Sequence, residues 1–113
     1  MWDSIVAMTS IRDYLIVIGS KAVNNKECFN IWRRNLGEPR GDGQDGWRYL
    51  LRGTRGGPTW LPLESRNLSL CGRWESDKNV KLYIADGVHP LMCLRMNNFD
   101  EVAAIDDVDD LSV

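Results

Sequence analysis

The chain alternates between apolar and polar positions. From Val80 to Ala85 it reads Val-Lys-Leu-Tyr-Ile-Ala, with Val80, Leu82 and Ile84 on one side and Lys81 and Tyr83 on the other. A period of two is that of a strand, because successive side chains leave opposite faces of a sheet. Asp86-Gly87 follows, then Val88-His89-Pro90, then a second apolar run from Leu91 to Met96. This order predicts an antiparallel hairpin closed through Asp86-Gly87. Gly87 supplies the positive φ such a loop commonly needs. Pro90 stands where the second strand begins, a place that tolerates a missing N–H. Asp86 is expected to accept N–H bonds within its own turn, as Asx turns do.

Similar runs recur upstream. Tyr14 to Gly19 is apolar and β-branched. Glu27 to Arg33 alternates, with Phe29 and Ile31 opposite Cys28 and Trp32. Lys21 to Lys26 between them contains an Asn-Asn turn. Trp47 to Arg52 sets Trp47, Tyr49 and Leu51 against Arg48, Leu50 and Arg52, and Leu68 to Glu75 sets Leu68, Leu70 and Trp74 on a common face. Short strands separated by turn signals predict an all-β, antiparallel fold. Asp3 to Ile11 fits either a short helix capped at Asp3 or Ser4, with Ile5, Met8 and Ile11 at helical spacing, or a first strand. Residues 37–57 hold seven of the ten glycines. Their first part, 37–46, reads as a mobile hairpin tip.

Charge divides the chain. Residues 1–95 carry all 14 basic residues and 10 acidic ones, a balance of +4. Residues 96–113 carry no basic residue and six acids: Asp100, Glu101, Asp106, Asp107, Asp109 and Asp110. The expected organisation is a single β-rich domain over 1–99 followed by an acidic tail over 100–113. With 113 residues the chain suffices for one modest core. Its composition, 43% hydrophobic and 27% charged, excludes a disordered or collagen-like chain, and no apolar run is long enough to span a bilayer. Met1-Trp2-Asp3 does not read as the start of a secretory signal.

Candidate chemistry is sparse. Cys28, Cys71 and Cys93 are scattered and odd in number, which argues against a disulfide framework and for buried structural thiols. They and the lone His89 lack zinc-ligand spacing, and the C-terminal acids do not match a calcium loop. No metal or cofactor is expected. Gly41-x-Gly43-x-x-Gly46 matches a dinucleotide fingerprint only in letters, since no strand feeds it and no helix follows it. No acid, base and nucleophile set can be assembled around His89, so no catalytic residue is expected. Arg33, Arg34, Arg40, Arg48, Arg52 and Arg55 cluster with Trp32, Trp47, Tyr49 and Trp60, but acids in the same stretch and a pI near 5.3 argue against nucleic acid. Tryptophan and arginine together mark the buried centres of protein interfaces. Trp32, Arg33, Trp47, Arg48, Arg55 and Trp60 are therefore the interface candidates.

Trp74-Glu75, then Lys81-Leu82-Tyr83-Ile84-Ala85-Asp86-Gly87, then His89-Pro90 and Arg95-Met96 form a motif. It resembles a segment near the start of large virion proteins of crAss-like and related Bacteroidetes gut phages, described variously as stabilisation or tail-region structural proteins. Ile84 stands where that pattern has an aromatic residue, and Arg95-Met96 where it has Asn-Ile. The specific part covers residues 74–96. The same core is similar to the Tyr-Trp-Thr-Asp repeat of extracellular β-propellers.

The resemblance implies antiparallel meanders amounting to about two propeller blades. Trp74, Glu75, Tyr83, Asp86, Gly87 and Pro90 would be structural motif residues. The implied function is a non-catalytic phage virion component, or a fragment of one, located in the virion and in host cytoplasm during assembly. Two blades cannot close a propeller ring. The expected partners are thus other virion subunits, the rest of a longer chain, or further copies in a homo-oligomer, with no membrane. The alternative is a small stand-alone β-rich binding module, such as a phage-encoded inhibitor of a host protein.

Overall fold

The computed structural model describes residues 2–37, 46–51, 60–64, 66–76, 79–97 and 101–108. Eight strands run in order: β1 (Ser4–Ile11), β2 (Tyr14–Val23), β3 (Lys26–Asn35), β4 (Trp47–Tyr49), β5 (Ser69–Trp74), β6 (Asn79–Ala85), β7 (Leu91–Asn97) and β8 (Glu101–Val108). They form two four-stranded antiparallel meanders, β1-β2-β3-β4 and β5-β6-β7-β8. The fold is all-β, and the described residues contain no helix.

Asp3 to Ile11, open between helix and strand in the sequence, is strand. Ile5 pairs with Gly19 and Met8 with Val17, with a register shift between Ile5 and Ala7. The extra residue puts Ile5 and Met8 on one face although they are three apart, because a bulge advances the side-chain phase by one. That phase shift is what imitates a helical period.

The Asn-Asn turn joins β2 to β3, with φ of 51° at Asn24 and 64° at Asn25. Both central residues of a tight hairpin turn need that left-handed backbone, and Asn tolerates it. The predicted downstream hairpin is present: Val80 pairs with Met96 and Ile84 with Met92. Gly87 has φ of 78° in the connecting loop.

The core lies between the two sheets. Ile16, Ile18, Phe29 and Ile31 from the first face Val80, Leu82, Ile84, Met92, Leu94 and Met96 from the second, all in one buried cluster. Leu68, Leu70 and Trp74 pack against it. Leu61 and Leu63 join from a connecting segment, fixed where the Leu61 N–H bonds the Phe29 carbonyl at 2.9 Å. The alternation expected from Trp47 to Arg52 ends at Tyr49. Leu50 and Leu51 are both buried in the core, and the Leu50 N–H reaches the Ile31 carbonyl at 3.0 Å. Arg52 lies outside the described residues, as does the stretch 38–45 at the centre of the expected mobile tip.

Two expectations need correcting. Residues 101–108 are not a tail: they are β8, paired with β7 from Leu91↔Val108 to Asn97↔Glu101. Apolar Val102 sits against the core, and its N–H bonds the Leu50 carbonyl at 3.0 Å. Residues 109–113 lie outside the description. The cysteines also divide: Cys93 is buried, Cys28 half-buried and Cys71 exposed, because Cys71 falls on the outer face of a strand at the sheet's edge.

Candidate functional site

The two outer faces differ in chemistry. On the second sheet the cross-strand row Arg73–Lys81–Arg95 is basic. Like charges in register repel. Glu75 lies 3.0 Å from the Lys81 Nζ and holds its pKa above the usual lysine value through that bond. The row is a solvated face with part of its charge offset.

The outer face of the first sheet is apolar and aromatic. Its central row runs Met8–Val17–Trp32–Tyr49 across four strands, with Ser10–Leu15–Arg34–Trp47 on one side and Ile5–Gly19–Asn30 on the other. Met8 and Ile5 are 60% and 48% exposed. Trp2 lies over this face, its ring 5.1 Å from Trp32 and 5.0 Å from Trp47, both edge to face. Trp32 meets Tyr49 in the same manner at 5.3 Å. Such geometry matches the ring quadrupoles. Gly19 makes the space: a Cβ there would lie 2.5 Å from the Trp2 Cβ and 3.0 Å from the Trp32 ring.

Beside this cluster Lys21, Trp32, Tyr49 and Trp60 line a cavity of about 290 Å³. Trp60 is brought there by its neighbour Leu61, which bridges to Phe29 on β3. Beneath the rings Asn30 is fully buried, its side-chain amide donating to the Tyr49 hydroxyl while its Oδ1 accepts the Ile31 N–H at 2.8 Å. Burial pushes the Tyr49 phenol above its ordinary pKa, so it stays protonated at neutral pH.

The interface candidates therefore separate. Trp47 and Trp60 are half-buried on the aromatic face. Trp32 is only 6% exposed and forms the floor of that face. Arg33 turns to the opposite face, its guanidinium 5.1 Å from the Tyr14 ring centre. Arg48 shares that opposite face as the register partner of Arg33. Arg55 lies outside the described residues. Lys21 and Gly19 were not singled out by sequence reasoning, and Trp2 was not among the interface candidates. The period-two phase of β2, which puts Lys21 on the Val17 face, was the signal for the lysine.

The motif residues have structural surroundings. Trp74 stacks with Tyr14 at 6.3 Å, and the Arg12 guanidinium lies 4.1 Å from its ring centre, contacts that join the two sheets. Tyr83 sits between Cys71 and Cys93 in register. Gly87 and Pro90 are exposed in the β6–β7 loop. Asp86 is 4% exposed and accepts the N–H groups of Val88 at 2.9 Å and His89 at 2.7 Å, while its second oxygen meets the His89 Nδ1 at 2.6 Å. The His89 Nε2 faces Glu64 at 3.9 Å. The His89 backbone bond above all holds the Asp86 carboxyl far below the usual carboxylate range, against the effect of burial.

A pH dependence follows. The folded carboxyl binds its proton less tightly than the unfolded one, so its stabilisation is complete above pH ~4 and is lost as pH falls from there. Asp86→Asn should cost about 2 kcal/mol at pH 7, the scale of hydrogen bonds to a charged acceptor. It should also flatten the decline of Tm with acidification. An equal acid-induced decline in variant and wild type, measured by circular dichroism, would show that Asp86 is not the linked group.

Among the described residues no group of three or more His, Cys, Asp or Glu side chains could hold a metal ion. Comparisons with protein-family models, curated proteins and solved structures find no match to this chain.

Proposed function

We propose that this chain is a non-catalytic assembly component of a phage virion, or a part of one, acting through protein–protein contacts. The observation that carries the protein-binding half of this reading is the outer face of the first sheet. Ile5 and Met8 are exposed there, and Trp2, Trp47 and Trp60 are half-buried beside them. An aromatic and aliphatic surface of this kind is the composition of an interface centre. The virion setting is supported by the resemblance of residues 74–96.

Light scattering across a concentration series tests the reading. The wild-type chain should assemble, and Trp47→Ala should weaken that association by roughly 2 kcal/mol or more while β-type circular dichroism is retained. Lost folding in the variant with association unaffected among surviving molecules would make Trp47 a core residue. The stand-alone binding module has its own supporting observation, the cavity at Lys21, Trp32, Tyr49 and Trp60. A wild-type chain that stays monomeric at all concentrations would favour that module.

A further inference from the structure

We infer that the cavity lined by Lys21, Trp32, Tyr49 and Trp60 receives an aromatic side chain flanked by an acidic residue, presented by an extended segment of a partner protein. The inference rests on reading the outer face of the first sheet as protein-binding, and it names what that face recognises. Three rings form the lining. A planar apolar group is the shape such walls accept, by edge-to-face or offset contact. About 290 Å³ is at the lower end of ligand-pocket volumes, enough for a ring and too little for an extended ligand.

Charge selects among the ring-bearing ligands. An aromatic box of this kind commonly recognises a cation, but Lys21 is itself one of the lining residues, and its positive charge disfavours a second cation there. Arg34 is on the same outer face, at the register position beside Trp47. Asp3 is exposed near the end of β2, with its carboxylate already accepting the Ala22 N–H at 2.9 Å. Lys21 is the charged residue among those that line the cavity, and complementarity with it calls for an anion beside the ring. The buried Asn30 amide donates to the Tyr49 hydroxyl and so fixes the position of that ring in the lining. Carbohydrate recognition would use several acceptors as well as donors around the ring, and the side chains of this lining are donors apart from the phenol oxygen. Single-stranded nucleic acid would use a basic groove continuing past the aromatic platform. The same sheet face carries Met8, Ile5 and Leu15, so it does not continue as a basic groove on that side.

Titration of the 15N-labelled full chain with capped tripeptides tests the proposal. The probes are acetyl-Glu-Trp-Glu-amide, its charge-reversed form acetyl-Lys-Trp-Lys-amide, and the ringless acetyl-Glu-Ala-Glu-amide. The acidic aromatic peptide should shift the indole N–H signals of Trp32 and Trp60 and bind roughly fivefold tighter than the basic one at low salt, the scale of one exposed ion pair. That preference should shrink at 0.5 M NaCl. Lys21→Met, a change at an exposed side chain, should remove the charge preference and keep the ring-dependent shifts. Equal binding of acidic and basic peptides, binding of the ringless peptide, shifts confined to residues away from Trp32 and Trp60, or tighter binding of oligo(dT) would each overturn the assignment. Loss of this selectivity with Trp47-dependent assembly intact would refute the ligand and leave the interface standing. Selectivity without assembly would keep the ligand and refute the assembly role.

Discussion

Truncation of the chain after Asn97 is expected to lower its stability by on the order of 3 kcal/mol, enough to drop Tm by ten degrees or more in a domain this small. The cut removes β8, whose register with β7 runs from Leu91↔Val108 to Asn97↔Glu101. Each ladder hydrogen bond contributes about 0.5–1.5 kcal/mol net, and the ordering entropy recovered by releasing the strand offsets part of the loss. Val102 adds apolar contact with the core and a backbone bond to Leu50 in the opposite sheet. The strand thus fastens the two sheets to each other as well as extending one of them. Urea denaturation of the truncated chain decides it. A midpoint unchanged from wild type would mean that residues 101–108 contribute nothing to the fold.

The acids of residues 101–107 disguised β8 in the sequence. Composition alone registered them as a solvated tail, because the alternating Val102, Ala104 and Ile105 pattern is broken by a register shift opposite Arg95 and Met96. The same kind of break hid β1. Where the ladder was regular, as from Val80 to Met96 and from Tyr14 to Arg33, the pattern in the letters was the pattern in the sheet. Turn chemistry was equally legible: Asn24-Asn25 and Asp86-Gly87 adopt the backbone that their residue types favour.

The candidate site was legible in part for a different reason. Trp32, Trp47 and Trp60 were visible as residue types, and the alternation of β3 already set Trp32 opposite Phe29 and Ile31. Their assembly depends on cross-strand register, which pairs Trp32 with Tyr49 and Arg34 with Trp47. It also depends on Gly19, whose missing Cβ admits Trp2. Neither relation has a local signature. Register follows from which residues bury together, and a close approach to glycine follows from the tertiary packing above it.

A second large effect is expected at Gly72. This residue lies on β5 in the row Gly72–Leu82–Leu94, where the two sheets come together. A Cβ added there would stand 2.0 Å from the Ile11 Cδ1, 2.7 Å from its Cγ1 and 3.0 Å from the Leu82 Cδ2. Ile11, at the end of β1, is itself buried, so its side chain has little room to withdraw. Glycine is unfavourable in a strand by roughly 0.5–1 kcal/mol relative to alanine, yet the contact reverses that sign although Gly72 itself is exposed, because driving a methyl into the buried Ile11 side chain is overpacking, which costs about 1–3 kcal/mol. Gly72→Val should destabilise the chain by about 3 kcal/mol and Gly72→Ala by about 1–2 kcal/mol. The stronger test is the pair. Ile11→Val deletes the Cδ1 that the new methyl would strike, so Gly72→Ala combined with Ile11→Val should cost about 1 kcal/mol less than the two changes added, within the range found for residues in contact. Strict additivity in urea denaturation would mean that Ile11 does not set the spacing between the sheets at Gly72.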